Sequence, residues 1–208
     1  MINDFEPQVN PDHYDFLNYI HKDRYMSYYY QLKYIYTIKP KNILEIGPGN
    51  NFLKNNLKNE FIIKTFDFDE KVKPDYIGNV SKIPLPNNFF ELVCCFQVLE
   101  HLPFEKFEES LNELCRISEK YVLLSLPYSR IDFKFEIKLP LLKKLNVHFT
   151  IPKFYRKHMF DGQHYWEIGT KGYQINKIIN VLEKHFLVEE INNPYENPYH
   201  IFFKLRKK

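Results

Sequence analysis

The chain has 208 residues, of which 44% are hydrophobic, so it can form one domain around a substantial core. No stretch reaches the roughly 18 uninterrupted apolar residues of a membrane-spanning helix, and the net charge of +3 is too small to indicate a nucleic-acid-binding protein. The N-terminus has no secretory signal pattern, and Cys94, Cys95 and Cys115 have neither disulfide-framework nor zinc-site spacing. We therefore expect a cytoplasmic protein with reduced thiols and no metal.

The first candidate element is a tyrosine-rich helical region over residues 11–37. Its apolar side chains fall roughly on one helical face, and Pro40 ends the pattern. Residues 1–40 are therefore expected to form a helical cap, which either closes over a ligand site or is simply part of the core.

A buried strand and a glycine turn follow the cap. Residues 42–46 are a short apolar run closed by Gly47-Pro48-Gly49, which is typical of a strand that leads into a tight turn. Residues 52–57 then have helical spacing, and residues 61–68 are predicted to form a second strand with acidic residues at its end.

The rest of the chain alternates strands with helices. The predicted elements are a weak strand at 76–80, strands at 89–98 and 121–126, helices at 105–117 and 171–185, and terminal strands at 187–191 and 200–205. This alternation predicts a doubly wound α/β fold, in which a mainly parallel sheet has helices on both faces. Ligands bind such sheets beyond the carboxyl ends of the strands.

The glycine turn indicates a nucleoside ligand without a pyrophosphate. The dinucleotide-binding fingerprint needs a third glycine where this chain has Phe52. It also places a pyrophosphate near the turn, where the neighbouring carboxylate of Glu45 would be unfavourable. A ligand with an amino-acid end fits that carboxylate better. Asp67, which lies 20 residues past Gly47, is spaced to accept hydrogen bonds from a ribose.

Over residues 43–127 the sequence resembles the class I S-adenosylmethionine-dependent methyltransferases, in particular the small bacterial enzymes of the methyltransferase type 11 group. The matching stretches are ILEIGPGN, FDFDEKVKPDYIGNVSKIPLPNNFFELV, CCFQVLEHLP and YVLLSLP. The resemblance implies a single methyltransferase domain over 1–208, with a seven-stranded, mostly parallel sheet and a basic insert after the fifth strand. It also implies S-adenosylmethionine as the cofactor and methyl transfer as the reaction.

By position, the resemblance also implies a cofactor site. Its residues would be Glu45, Gly47, Gly49, Asp67, Asp69, Asn79, Val80, Gln97 and Val98. The glycines would approach the methionine portion, and Asp67 would bind the ribose, with Asp69 as a nearby substitute. Asn79 would lie beside the adenine, where the family often has Asp.

His101 and Glu100 are the candidate catalytic residues, since they directly follow the fourth strand. An oxygen or nitrogen acceptor usually loses a proton during methyl transfer, and histidine titrates in the useful range. The alternative is that His101 caps the following helix or hydrogen-bonds a backbone carbonyl.

The segment 129–165 is expected to be a substrate-lid insert. Residues 129–160 contain eight basic and only two acidic residues, so the rest of the chain is net negative. One interpretation is a lid that selects an anionic acceptor, and another is an amphipathic patch that contacts an anionic membrane surface. The third is a solvated surface whose lysine stems cover apolar side chains.

A polar and aromatic stretch follows the insert, at residues 161–169. His164, Trp166 and Glu167 could shape the acceptor pocket, and His200 could point back to the same pocket. The alternative is a packed loop anchored by Trp166.

The favoured function is methyl transfer to a small polar, anionic or neutral acceptor, such as a hydroxyl of a sugar, glycolipid precursor or metabolite. A nucleic-acid methyltransferase is disfavoured because LEHLP stands where base-amino methylases carry an N/D-P-P-Y loop. A non-catalytic binding module is disfavoured because the glycine motif is intact.

Overall fold

The computed structural model describes residues 19–138 and 145–208. Its helices are α1 (Lys22–Ile38), α2 (Phe52–Leu57), α3 (Phe107–Ile117) and α4 (Ile175–His185). Its strands are β1 (Asn42–Ile46), β2 (Ile62–Asp67), β3 (Tyr76–Ile77), β4 (Phe90–Phe96), β5 (Ser118–Pro127), β6 (Arg130–Ile137), β7 (Leu145–Pro152), β8 (Phe186–Asn192) and β9 (His200–Lys207). The predicted helical residues 11–18 lie outside the described part.

Seven strands form one sheet in the order β3-β2-β1-β4-β5-β9-β8. The first five strands in this order are parallel, and β9 runs antiparallel to both β5 and β8. The prediction of a seven-stranded, mostly parallel sheet is therefore confirmed. The chain leaves β1 towards β2 on one side and β4 lies on the other, so the carboxyl ends of β1 and β4 border the crevice where such sheets bind ligands.

The central strands are buried on both faces, as expected for a parallel sheet covered by helices. Successive side chains of a strand point to opposite faces. Accordingly, Leu44 and Ile46 of β1 belong to the core cluster that includes α3 and α4 residues, whereas Ile43 belongs to the cluster that includes α1 and α2 residues. Cys94 and Cys95 alternate in the same way and are buried free thiols.

Several element boundaries differ from the sequence-based expectation, and two of the differences have a local cause. The strand expected at 76–80 ends at Ile77, since the Oδ1 of Asn79 accepts a hydrogen bond from the Ser81 amide at 2.7 Å and turns the backbone. The helix expected from Lys171 begins only at Ile175. A turn precedes it, in which Gly172 has a φ of +89°.

The insert after β5 contains a two-stranded antiparallel hairpin, formed by β6 and β7, that the sequence analysis did not predict. Its signal was present, because Ile131, Phe133, Phe135 and Ile137 alternate with polar residues at the period of a strand. Residues 139–144 between the two strands lie outside the described part. No helix among the described residues is long and apolar enough to cross a membrane.

Candidate functional site

A cavity of about 130 Å³ opens beyond the carboxyl ends of β1 and β4. One side, which we call the glycine wall, consists of Glu45, Gly47, Gly49 and Gln97. A second part of the lining, which we call the histidine wall, consists of His101, His164, Tyr199 and His200. Residues of α1 also line the cavity, so both the sheet edge and the N-terminal helix enclose it.

The glycine wall is shaped by backbone geometry at Gly47. This residue has a φ of +66°, and its amide donates a hydrogen bond to the carbonyl of Phe66 on β2 at 2.9 Å. A Cβ atom at this position would lie 2.5 Å from Cγ2 of Val98, which is closer than such atoms approach. Both the left-handed conformation and the contact with Val98 therefore require glycine.

Glu45 places a buried carboxyl group in the glycine wall. Its side chain is only 6% exposed, and Oε2 has no hydrogen-bond partner among the described residues. Burial raises the pKa of Glu45 to about 8, against a small opposing effect of Lys54. A buried carboxyl oxygen without a partner favours a ligand that brings a cation or a hydrogen-bond donor.

Gln97 directly follows β4 and lines the cavity. It has a φ of +56°, its amide donates to the Ser125 carbonyl at 3.0 Å, and its Nε2 donates to Ser125 Oγ at 3.1 Å. These two bonds to β5 hold the strand end in the unusual conformation that turns the next residue, Val98, towards Gly47.

Helix α1 covers the cavity with tyrosine and polar side chains. The ring of Tyr28 stacks on Phe52 at 3.9 Å between centroids, and its hydroxyl donates to Asn50 Oδ1 at 3.3 Å. Arg24 donates from Nη1 to the hydroxyl of Tyr19 at 2.8 Å. The described part of the predicted cap thus packs against the α2 side of the crevice and also lines the cavity.

Glu100 and His101 lie in a 3₁₀ turn after β4, and His101 is the first residue of the histidine wall. Nδ1 of His101 lies 3.0 Å from the Gln163 carbonyl oxygen, so this nitrogen carries a hydrogen, and in the neutral ring Nε2 has the lone pair. The carboxyl group of Glu100 is fully buried, and neither oxygen has a hydrogen-bond partner among the described residues. Burial raises its pKa to about 7, while His164 acts in the opposite direction.

His164 is held in the histidine wall by a network with Glu167 and Tyr199. Its Nδ1 lies 3.1 Å from Glu167 Oε1, and the Tyr199 hydroxyl donates a short hydrogen bond to the same oxygen. Burial alone would lower the pKa of His164, but the bond to Glu167 and the surrounding carboxylates raise it overall. Burial would raise the pKa of Glu167, but the bonds from His164 and Tyr199 lower it. The two groups therefore favour an imidazolium–carboxylate pair.

Local structure presents His164 to the cavity. Asp161 Oδ1 accepts hydrogen bonds from the amides of Gln163 and His164 at 3.0 and 2.8 Å. The amide of Tyr165 donates to the Glu100 carbonyl at 2.9 Å, which ties the segment to the turn after β4. The rings of His101 and His164 meet edge to face, with 5.0 Å between their centroids.

His200 is a neutral, fixed member of the histidine wall. Ser27 Oγ accepts a hydrogen bond from Asn197 Nδ2 at 2.8 Å and lies 2.8 Å from His200 Nδ1, so the serine hydroxyl links the imidazole to Asn197. Burial, followed by the charge of Arg24, lowers the pKa of His200 to about 3. With so low a pKa, the His200 imidazole can form hydrogen bonds to a ligand but does not act as a base near neutral pH.

The structure divides the predicted cofactor residues into two groups. Glu45, Gly47, Gly49 and Gln97 line the cavity, and Val98 packs beneath it. The remaining four, Asp67, Asp69, Asn79 and Val80, lie at the ends of β2 and β3 and do not line it.

Asp67 and Asp69 support each other at the end of β2. Asp67 Oδ1 accepts from the Asp69 amide at 2.9 Å, and Asp69 Oδ1 caps the following 3₁₀ turn through the Lys71 amide, also at 2.9 Å. Burial raises the pKa of Asp67 to about 6, although its backbone hydrogen bonds act in the opposite direction. Asp67 therefore lies at the carboxyl end of β2, the strand next to β1, while Asp69 caps the 3₁₀ turn that follows.

Trp166 is a correction to the sequence-based expectation of a pocket residue. Its side chain is 0% exposed and does not line the cavity. Its Nε1 donates to the Leu102 carbonyl at 3.1 Å, and its ring packs against Phe104 and Phe107 with centroids 5.1 and 5.0 Å away. Trp166 thus anchors a packed loop, which was the stated alternative. Glu167 does not line the cavity either, but it contacts His164 and Tyr199, which do.

The sequence analysis missed Tyr199, and it named the helical cap as a possible cover of the site without identifying which of its residues line the cavity. Tyr199 precedes a predicted site residue, His200, but its contact with Glu167 spans 32 residues and has no local signature.

The sequence predicts no metal site, but the structure brings three potential metal ligands together. One donor atom each from Glu100, His101 and His164 lies within 4.8 Å of the others, an arrangement able to hold a cation or to share protons.

The model of a family described as "Methyltransferase domain" matches residues 44–124. No curated protein sequence matches the chain. A crystal structure of a protein from Pyrococcus horikoshii OT3 is similar, with 11% identity, 97% of each chain covered and a TM-score of 0.64. So is an S-adenosylmethionine-dependent methyltransferase from Clostridium acetobutylicum, with 8% identity, 94% and 96% coverage and a TM-score of 0.60.

A third similar structure is that of magnesium protoporphyrin IX methyltransferase from Synechocystis with bound SAH. It is 13% identical, 98% of this chain and 90% of that chain are covered, and the TM-score is 0.62. At these identities the three structures show that the fold is shared.

Proposed function

We propose that this chain is a class I S-adenosylmethionine-dependent methyltransferase, which transfers the cofactor's methyl group to a hydroxyl group of a small polar acceptor. One observation carries this proposal. A single cavity joins a glycine wall that matches the family's cofactor motif to a histidine wall equipped for proton transfer. A hydroxyl acceptor requires both functions at the same place.

The glycine wall fits S-adenosylmethionine. The cofactor supplies an electrophilic methyl group on a sulfonium, together with an amino-acid end that carries an ammonium. The orphaned Oε2 of Glu45 would receive that ammonium, which would return the carboxylate to its charged form. Asp67 would accept the ribose hydroxyls, Asn79 would lie beside the adenine, and Gln97 would form the floor.

His101 is the proposed base for the acceptor hydroxyl. Its Nδ1 lies 3.0 Å from the Gln163 carbonyl oxygen, which favours the tautomer whose Nε2 would take the proton. The carboxyl group of Glu100, one oxygen of which lies within 4.8 Å of a His101 ring nitrogen, would receive that proton near neutral pH, since burial raises its pKa to about 7. His164, fixed by Glu167 and Tyr199, would orient the acceptor through the hydrogen bonds of its imidazolium.

The acceptor classes that we propose are the hydroxyls of sugars, glycolipid precursors and small metabolites. The side chains of the histidine wall are short-range hydrogen-bond partners suited to such groups. The insert offers less to a nucleic acid than its charge suggested, because eight of its hairpin side chains form an exposed apolar surface.

The test has two stages. Isothermal titration of the purified chain with S-adenosylmethionine and S-adenosylhomocysteine should give heats of binding, which Asp67→Ala should weaken. Labelled cofactor should then transfer its methyl group to a member of an acceptor screen containing sugars, nucleotide-linked sugars and glycolipids. The absence of any cofactor binding by the wild-type chain would refute the proposal.

A further inference from the structure

The β6–β7 hairpin exposes an apolar face to solvent. Four pairs of directly opposed residues form it: Ile131 with Ile151, Phe133 with Phe149, Phe135 with Val147, and Ile137 with Leu145. All eight side chains are between 38% and 56% exposed. The rings of Phe133 and Phe149 stack at 4.7 Å, so the apolar face is an ordered surface.

The polar face of the same hairpin turns towards the body of the protein. Arg130 Nη2 donates to the Pro198 carbonyl at 2.9 Å, and Lys134 Nζ lies 5.2 Å from the ring centroid of Tyr195. The ring of His148 packs edge to face on Tyr195. The hairpin is therefore attached through polar side chains and presents its apolar side outwards, which reverses the usual arrangement of a strand on a folded domain. An exposed apolar surface of this extent marks an interaction site.

The charges around the apolar face select the kind of partner. Lys138 directly follows β6, and Lys153, Arg156 and Lys157 follow β7. Phe154, Tyr155 and Met159 in the same segment are 59%, 65% and 77% exposed. Apolar and aromatic side chains bordered by lysine and arginine match a surface that is apolar inside and anionic at its rim, as an anionic bilayer is.

The two other kinds of partner fit less well. A second copy of the chain would bring two basic segments of the same sign together around the apolar contact. A nucleic acid would pair with the basic residues, but it would leave the aliphatic side chains of the apolar face against water.

We propose that the apolar face docks on an anionic phospholipid bilayer, with the flanking basic residues against the lipid head groups. The hairpin leaves the sheet next to the histidine wall, because the Tyr128 amide donates to the Tyr199 carbonyl at 2.7 Å directly before β6 begins. Docking therefore brings the cavity to the membrane surface. This step rests on the proposed function and favours the glycolipid precursor among the proposed acceptors.

Vesicle co-sedimentation of the full chain without cofactor tests the docking. Wild type should bind vesicles of equimolar phosphatidylcholine and phosphatidylglycerol at least about ten times more strongly than vesicles of phosphatidylcholine alone. Phe135→Ser/Val147→Ser should abolish binding to both. The matched control Ile62→Ser/Ile77→Ser, which replaces two exposed apolar side chains on β2 and β3, should bind as wild type does. Arg156→Glu/Lys157→Glu should remove the preference for the anionic vesicles.

Three results would overturn the proposal. The first is that wild type binds neither kind of vesicle, and the second is that the Phe135→Ser/Val147→Ser variant binds vesicles as strongly as wild type. The third is that wild type is a dimer, that this variant is a monomer, and that neither protein binds vesicles. Cofactor titration in solution separates this failure from failure of the proposed function. The hairpin variant should keep wild-type affinity for S-adenosylmethionine, because none of its replaced residues lines the cavity.

Discussion

The two walls of the cavity are built in different ways. The glycine wall depends on backbone shape: Gly47 adopts a φ of +66° and has no room for a Cβ beside Val98. The histidine wall depends on hydrogen bonds between distant residues, such as His101 with Gln163 across 62 positions and Ser27 with His200 across 173. In the glycine wall, the backbone shape decides which residue fits at position 47. In the histidine wall, the hydrogen bonds decide which side chains can exchange protons or orient a ligand. Substitutions should therefore separate cofactor binding from the rate of transfer.

The largest effect is expected for His101→Asn. Asparagine can still hydrogen-bond the Gln163 carbonyl through its amide, but it cannot accept the acceptor's proton. Loss of a general base should lower kcat by about 10²–10⁴-fold, while the Kd for S-adenosylmethionine stays within about twofold of wild type because the glycine wall is intact. Product formation with the acceptor from the screen and isothermal titration measure the two quantities.

Chelation provides the control for this assignment. If His101 acts as a base, dialysis against EDTA should leave the rate unchanged. Loss of activity on dialysis and its return with a divalent cation would instead show that Glu100, His101 and His164 hold a metal.

Gly47→Ala should break the glycine wall. The added methyl group would meet Val98 at 2.5 Å, and the left-handed backbone disfavours any L side chain. We expect the free energy of unfolding to fall by about 2–5 kcal/mol, from strain and overpacking together, and cofactor binding to become undetectable. Urea denaturation and titration measure these effects.

Gly172→Ala is the matched control for the backbone strain. Gly172 has a φ of +89°, but an added Cβ would meet nothing within 4 Å. It should therefore lose only about 1–2 kcal/mol and keep the affinity for the cofactor. Equal losses in the two variants would contradict the assigned contact with Val98.

Glu45→Gln should change how stability depends on pH. The pKa of Glu45 is raised to about 8 in the folded chain, so the folded state holds this proton more tightly than the unfolded state does. Its contribution to stability is complete below the unfolded pKa of about 4.5 and is lost as the pH rises through about 8. At pH 9 the cofactor-free Glu45→Gln variant should accordingly exceed wild type in unfolding free energy by about 1–3 kcal/mol.

The same variant should bind S-adenosylmethionine less tightly, since the carboxylate that would receive the ammonium is gone. Glu119→Gln, at an exposed position on β5, should change neither quantity. A stability difference between Glu45→Gln and wild type that is constant from pH 5 to pH 9 would contradict the raised pKa.

The predictability of each wall from the sequence follows from how it is built. The fold and the glycine wall were predicted because alternating apolar runs and the Gly47-Pro48-Gly49 turn are local patterns. Of the histidine wall, the sequence identified three histidines but missed Tyr199, whose role depends on a contact with Glu167 that no spacing encodes. Trp166 was assigned to the pocket because a core aromatic residue and a pocket aromatic residue look alike in a local stretch, and only packing distinguishes them.

Tyr199→Phe should have the smallest effect and tests whether the histidine wall acts as a network. The change keeps the ring and removes the hydroxyl that donates to Glu167 Oε1, so His164 becomes the only remaining side chain of the wall that pairs with that oxygen. One lost hydrogen bond to a charged group is worth about 1.5–3 kcal/mol, part of which the pairing with His164 offsets.

For Tyr199→Phe we expect kcat to fall by about 3–10-fold, with cofactor affinity unchanged and the pKa of Glu167 less strongly lowered. The acid limb of the pH profile of kcat should therefore move to higher pH, which would not happen if Tyr199 had a purely structural role. Tyr25→Phe, at an exposed tyrosine of α1, serves as the control, and an unshifted acid limb in Tyr199→Phe would remove this residue from the network.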